Sequence, residues 1–201
     1  MKDIIKNAMK DSMKIRFIRP ADHAGVLDIY RPFVEHTAIT FDHEVPSAAA
    51  FSGHILAVSA FYPWLVAEIN GGIAGYAYAG KHRARKAYQW SVESSVYISE
   101  DHHRSGIGKT LYGTLFQLLR LQGIVNVYAG MTLPNEKSER FHAAMGFEPV
   151  GIYKRVGYKL GRWHDVSWMS LSLGAYDTDP APPLSIKEIT KSVAYKGLFT
   201  G

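Results

Sequence analysis

Two stretches of this 201-residue sequence place reactive residue types where they could act together. The first is His103-Arg104-Ser105-Gly106-Ile107-Gly108-Lys109, between a strand-like run ending near Ile98 and the amphipathic stretch 109–122. Glycines let a backbone approach a phosphate and adopt positive φ. The N–H groups of a helix's first turn, with the helix dipole, then hold the anion. Arg104 and Lys109 would add charge-assisted contacts. Spacing alone leaves a plain glycine-rich turn into a core helix as an equal alternative. The second stretch is 90–98, rich in Val, Ser and Tyr. Period-two geometry puts Glu93, Ser95 and Tyr97 on one face. A carboxylate, a hydroxyl and a phenol within otherwise apolar sequence read as a lined pocket with a general base. A strand glutamate that simply faces solvent is the competing reading.

Other chemistries find no support. His102-His103 has no third ligand at metal spacing, and no His-Glu-x-x-His occurs, so no metal is expected. There is no Gly-x-Ser-x-Gly elbow, and the glycines lack the first strand–turn Gly of a dinucleotide fingerprint. Without cysteine there is no disulfide, thiolate metal site or covalent Cys catalysis, which fits the reducing cytoplasm where we expect the protein. No run approaches 18 uncharged apolar residues, and the first 14 residues lack the apolar core of a secretory signal. The net charge of +5 favours an anionic partner. The basic residues form small clusters, at His82-Arg83-Ala84-Arg85-Lys86 and Lys154-Arg155, rather than a nucleic-acid stripe. A polyphosphate cofactor or an acidic small substrate suits them better, and no nucleic-acid or membrane partner is expected.

The elements that must position these residues follow from periodicity. Residues 14–19 read as a first strand, Asp22 as the N-cap of a helix that stops at Pro32, and Pro46-Ser47 as the start of a second helix. Runs 64–69 and 73–78 flank Asn70-Gly71-Gly72, a strong hairpin signal. Helix 109–122 has an apolar face of Leu111, Tyr112, Leu115, Leu118 and Leu119, ended by Gly123. A strand at 124–131, a short helix at 138–145 and strands at 150–153 and 166–173 complete the order. This is an α/β (α+β) chain with a mixed, mostly antiparallel central sheet flanked by helices. It divides into an extension at 1–13, one domain at 14–174 and a Pro-rich tail at 175–201, expected to be mobile or to dock on a partner.

The glycine loop resembles the acetyl-CoA loop of the GNAT acetyltransferase superfamily, Gln/Arg-x-x-Gly-x-Gly/Ala, with His103 where the pattern has Gln or Arg. Leu133-Pro134-Asn135-Glu136-Lys137-Ser138 and Met145-Gly146-Phe147 resemble its second cofactor region. Within the superfamily, the likeness is to the phosphinothricin and methionine sulfoximine (or sulfone) N-acetyltransferases. It is carried by Tyr62-Pro63-Trp64-Leu65-Val66-Ala67-Glu68, by the segment from Ala87 to Tyr97, and by Gly161-Arg162-Trp163-His164-Asp165-Val166. Together these blocks span roughly Ile15 to Leu173.

The resemblance implies acetyl transfer from acetyl-CoA, as co-substrate, to a small amino-acid-like amine. It implies that Val96, Tyr97, Ile98, the loop His103 to Lys109, Asn135 and Ser138 bind acetyl-CoA. Glu93 matches the family's catalytic glutamate, and His142 matches a histidine that relays a proton to Glu93 or protonates the leaving thiolate. The Tyr97 backbone N–H would polarise the thioester carbonyl. A bulge implied in this strand would break its simple alternation. Arg83, Arg85 and Tyr88 match the substrate-recognition segment, with Ser95 beside Glu93. Phe41 is either a pocket wall or a core aromatic. A homodimer is implied, its pocket near the interface.

Overall fold

The computed structural model of the chain describes residues 13–192 and residue 195. The expected extension therefore lies outside the described residues, apart from Met13, which opens the first strand. Seven strands form one sheet in the order β1-β2-β3-β4-β5-β7-β6. They are β1 (Met13–Phe17), β2 (Trp64–Ile69), β3 (Gly72–Lys81), β4 (Ser91–Ile98), β5 (Asn126–Thr132), β6 (Glu148–Lys159) and β7 (Arg162–Ser172). Every neighbouring pair is antiparallel except β4 and β5.

Helices α1 (His23–His36) and α2 (Ala48–Ser59) cover one face, burying Val26, Val34 and Ile55 against Trp64, Val66 and Tyr76. Helices α3 (Ile107–Gln122), α4 (Glu136–Ala144) and α5 (Ile186–Ile189) cover the other. On α3 the five apolar positions expected from periodicity are all fully buried, each contributing about 2 kcal/mol relative to exposure. Gly123, at φ 80°, ends the helix.

Three local expectations are corrected. Pro32 does not stop α1, because it sits on the exposed side while Val34, two residues on, is buried. Asp22 holds the N-cap position of α1 but does not bond to that helix's first turn; its carboxylate accepts from the Arg16 guanidinium and the Arg19 N–H. The tail does not stand apart: Trp90 Nε1 donates to Ala181 O, Gln122 Nε2 donates to Phe61 O and Leu184 O, and Ile189 is buried in the α3 core. Residues up to Ser192 thus dock on the domain itself.

Candidate active site

Glu93 stands where β4 and β5 part. β4 pairs with β3 from Val92 through Ile98, but with β5 only from Ser91 to Glu93, against Asn126 to Tyr128. Beyond that point β5 runs on with β7, so the inner edges of β4 and β5 face an opening. Trp90 O accepts from Val125 and Asn126 N–H on the β5 side, and Ser99 N–H donates to Ala74 O on the β3 side. Alternation between these two points turns the N–H groups of Val96 and Ile98 toward the opening and that of Tyr97 toward Tyr76. The expectation for Tyr97 is therefore corrected. β3 and β4 pair without a bulge, so Val96 and Ile98, not Tyr97, present amides to a ligand in the gap. The Tyr97 ring is packed among Tyr30, Phe33 and Tyr76, and burial pushes its phenol up, so it stays neutral.

The glycine loop lies at the C-terminal end of β4. Arg104 and Gly106 take positive φ, 61° and 88°, and Gly106 precedes α3 with no side chain capping the helix. The first-turn N–H groups of a 16-residue helix are thus left for an outside acceptor. Nothing lies within 4 Å of where a Gly106 Cβ would be, so an anion has room to approach. Gly108 instead lets α3 lie close to the Phe141 ring of α4. His103 Nε2 donates to Ile98 O at 3.2 Å and Ser105 Oγ donates to His102 O at 2.6 Å, which braces the turn from within. Arg104 and Lys109 are exposed around it. These features fit the polyphosphate end of acetyl-CoA. Asn135 caps α4 by accepting from Ser138 N–H, which leaves its Nδ2 available.

On the α1/α2 face, Glu93 meets a residue that the sequence reading passed over. His82 Nδ1 lies 2.9 Å from Glu93 Oε1. The imidazole stacks on Tyr128 and has edge contacts with Tyr88 and Trp168. Ser95, two residues along, is paired with Tyr78. Arg83 and Arg85 are exposed on the β3–β4 loop and make no ion pair among the described residues. Structure thus gathers Glu93, His82, Tyr88 and the two arginines at one end of the β3–β4 hairpin. In the sequence His82 is one member of a basic run, His82-Arg83-Ala84-Arg85-Lys86. The signal was present in the hairpin: pairing 73–81 against 91–98 carries residue 82 alongside Glu93.

Two expected residues fall elsewhere. His142 is buried on the α3 face, while Glu93 lies on the opposite face. Its Nδ1–H donates to Ser138 O at 2.8 Å, so Nε2 accepts from the Tyr112 hydroxyl at 3.2 Å, which accepts from Ser94 Oγ. Burial pulls this imidazole below its ordinary range, with the Ser138 carbonyl partly offsetting, and it is neutral near pH 7. Direct relay between His142 and Glu93 is therefore corrected: both nitrogens are already engaged across the sheet. Phe41 packs its ring over Gly157, where any Cβ would collide with it, and near His164. Lys159, buried at the end of β6, donates to Thr40 O and fixes this loop. The contacts of Phe41 are thus with the β6–β7 hairpin. A cavity of about 390 Å³ on the α1/α2 face is lined by Tyr30, Asp42, Trp64 and Tyr78 among others, and by none of the expected residues, although Tyr78 stands opposite Ser95. Among the described residues no group of three or more His, Cys, Asp or Glu could hold a metal ion.

A sheet that splits beside a bare helix N-terminus suits a ligand with an extended arm and a phosphate end, and comparison with known proteins makes the assignment specific. The GNAT acetyltransferase domain model matches residues 15–168. The chain is 39% identical to a phosphinothricin N-acetyltransferase of Streptomyces viridochromogenes over 89% of its length and 96% of that protein. It is 35% identical to a methionine sulfoximine/methionine sulfone acetyltransferase of Salmonella typhimurium, over 80% and 95% of the two chains. A phosphinothricin acetyltransferase from Sinorhizobium meliloti, solved with acetyl-CoA, superposes with a TM-score of 0.81 at 33% identity, covering 85% of this chain and 94% of that one. The protein belongs to the GNAT acetyltransferase family.

Proposed function

We propose that this acetyltransferase moves the acetyl group of acetyl-CoA directly onto the α-amine of a small amino-acid analogue of the phosphinothricin, methionine sulfoximine or methionine sulfone type. The observation that carries this reading is the placement of the Glu93 carboxylate where β4 and β5 part, with exposed arginines on the adjoining loop. Bound acetyl-CoA supplies an activated acyl carbon and a thiolate leaving group. The α3 N-terminus, with Arg104 and Lys109, holds its phosphates, and Val96, Ile98 and Asn135 face its pantetheine arm. Glu93, directly or through water, takes the amine proton so that the neutral nitrogen can attack. An amide on the β4 edge faces the carbonyl oxygen as negative charge gathers there. As the tetrahedral adduct collapses the C–S bond breaks, and the second proton of the nitrogen passes through water to the departing thiolate, since both nitrogens of His142 are engaged. Arg83 or Arg85 pairs with the acceptor's carboxylate or its phosphinate or sulfonyl oxygens.

In this reading both substrates are bound together and the amine attacks the thioester directly; the absence of cysteine removes the thiol route to an acetyl-enzyme. We further propose a homodimer. β6 is an edge strand presenting Val150, Ile152, Tyr153, Val156 and Tyr158 to solvent, an unusual apolar load for an uncovered edge. The test of function is a thiol-release assay with acetyl-CoA across phosphinothricin, methionine sulfoximine, methionine sulfone, ordinary amino acids and polyamines. Turnover confined to polyamines, or to none of the panel, would overturn this reading.

A further inference from the structure

We infer that His82 is a positioning residue for the base, its Nδ1–H holding one carboxylate oxygen of Glu93 so that the other faces the amine. This rests on Glu93 being the base. The register places the pair: Glu93 stands opposite Gly80 on β3 and opposite Tyr128 on β5, and His82 leaves β3 two residues beyond Gly80. Backbone pairing on both sides therefore brings the imidazole, the carboxylate and the phenol ring together.

The imidazole is fixed before it meets the carboxylate. Its ring lies 4.5 Å from that of Tyr128 at 18°, and the rings of Tyr88 and Trp168 meet it edge-on at 6.0 and 6.2 Å. The His82 side chain is only 13% exposed, while that of Glu93 is 42% exposed. A pair of free surface side chains would lose much of its attraction to the entropy of ordering both. Here the packed rings have already ordered one partner. The partly exposed Glu93 carboxylate gains a fixed donor on one oxygen while the other stays open to the pocket. Preorganisation of this kind sharpens a base without touching the substrate. A carboxylate accepts only, so the Nδ1 nitrogen of His82 must carry the proton. The neighbouring charges, Arg83 and Arg85 on the same loop, offer no competing acceptor.

Two substitutions separate donation from packing. His82→Phe keeps a ring on Tyr128 and removes the donor, whereas His82→Asn keeps an N–H near the Nδ1 position and removes the ring. The expected result is a fall in kcat of about tenfold or more for Phe, the scale of a hydrogen bond to a charged group, with the KM for acetyl-CoA unchanged. The Asn variant should stay within about threefold of the parent rate by keeping that bond. Reversed order, with Asn slow and Phe normal, would assign His82 a packing role only and overturn the inference. A second readout does not depend on turnover. In long-range 1H–15N spectra at about pH 8, above the ordinary imidazole range, His82 should be protonated at Nδ1 and should revert toward the Nε2–H form in Glu93→Ala. An Nε2–H tautomer in the parent protein would overturn the pairing itself. An Nδ1–H signature in a protein that acetylates no amine would support the pairing and sink the catalytic reading instead.

Discussion

Replacing Gly106 by Ala isolates the contribution of the turn before α3 to cofactor binding. Gly106 sits at φ 88° and ψ −4°, a left-handed conformation that costs an L-residue about 1–2 kcal/mol. No atom lies within 4 Å of the added Cβ, so the penalty in the free protein is conformational rather than steric. The variant relieves it by relaxing the turn, which tilts the first N–H groups of α3 away from the phosphate position. Binding must then restore the strained turn. Affinity for CoA should weaken by the same 1–2 kcal/mol, or about five- to thirtyfold. Gly71 supplies the control: it has φ 81° and equally open surroundings, but lies in the β2–β3 turn. Gly71→Ala should lower the melting temperature by about 2–4 °C per kcal/mol and leave CoA binding intact. Titration calorimetry with CoA and thermal melts of both variants provide the comparison. If Gly106→Ala loses stability but binds CoA as tightly as Gly71→Ala, the α3 N-terminus is not the phosphate cradle.

Three further outcomes are expected. Ending the chain at Gly174 removes the Ile189 side chain from the core and strips the Gln122 amide of its Leu184 partner; the loss of about 3–4 kcal/mol should lower the melting temperature by roughly 10 °C. His142 binds a proton less readily folded than unfolded, so stability should be intact above the ordinary imidazole range and fall as pH drops below about 6.5, by up to about 1.4 kcal/mol per unit. Urea melts at several pH values should show a shallower acid loss in His142→Gln than in the parent. Light scattering should find a dimer for the parent and a monomer for Val150→Lys with Ile152→Lys, on the exposed face of β6.

What could be read from the sequence was what local rules encode. The Asn70-Gly71 turn, the apolar stripe of α3 and the bare glycines ahead of it each fold by short-range physics, and each stands where expected. The long β6–β7 hairpin was seen only in part. β6 is exposed along most of its length, so no alternation of apolar and polar residues marks it. α1 runs through Pro32 because tertiary burial of Val34 outweighs a lost backbone bond. The site divides in the same way. Residue type and spacing singled out Glu93 and the glycine loop but left a solvent-facing glutamate and a plain turn as alternatives, and only the family resemblance favoured the functional readings. His82 was hidden in a run of charges, because only strand pairing sets it beside Glu93. His142 looked chemically available until burial and two hydrogen-bond partners on the far face of the sheet were visible.

If Glu93 deprotonates an amino-acid amine beside acetyl-CoA, turning its carboxylate into an amide should slow acetyl transfer without loosening CoA. Parent protein and Glu93→Gln are each mixed with acetyl-CoA and methionine sulfone or phosphinothricin, and both free thiol and N-acetylated product are quantified. The expected result is one thiol released per N-acetyl product in the parent, with kcat reduced by about a hundredfold or more in Glu93→Gln and CoA affinity unchanged, the scale of a lost general base. Full turnover by a folded Glu93→Gln variant would show that this carboxylate is not the base.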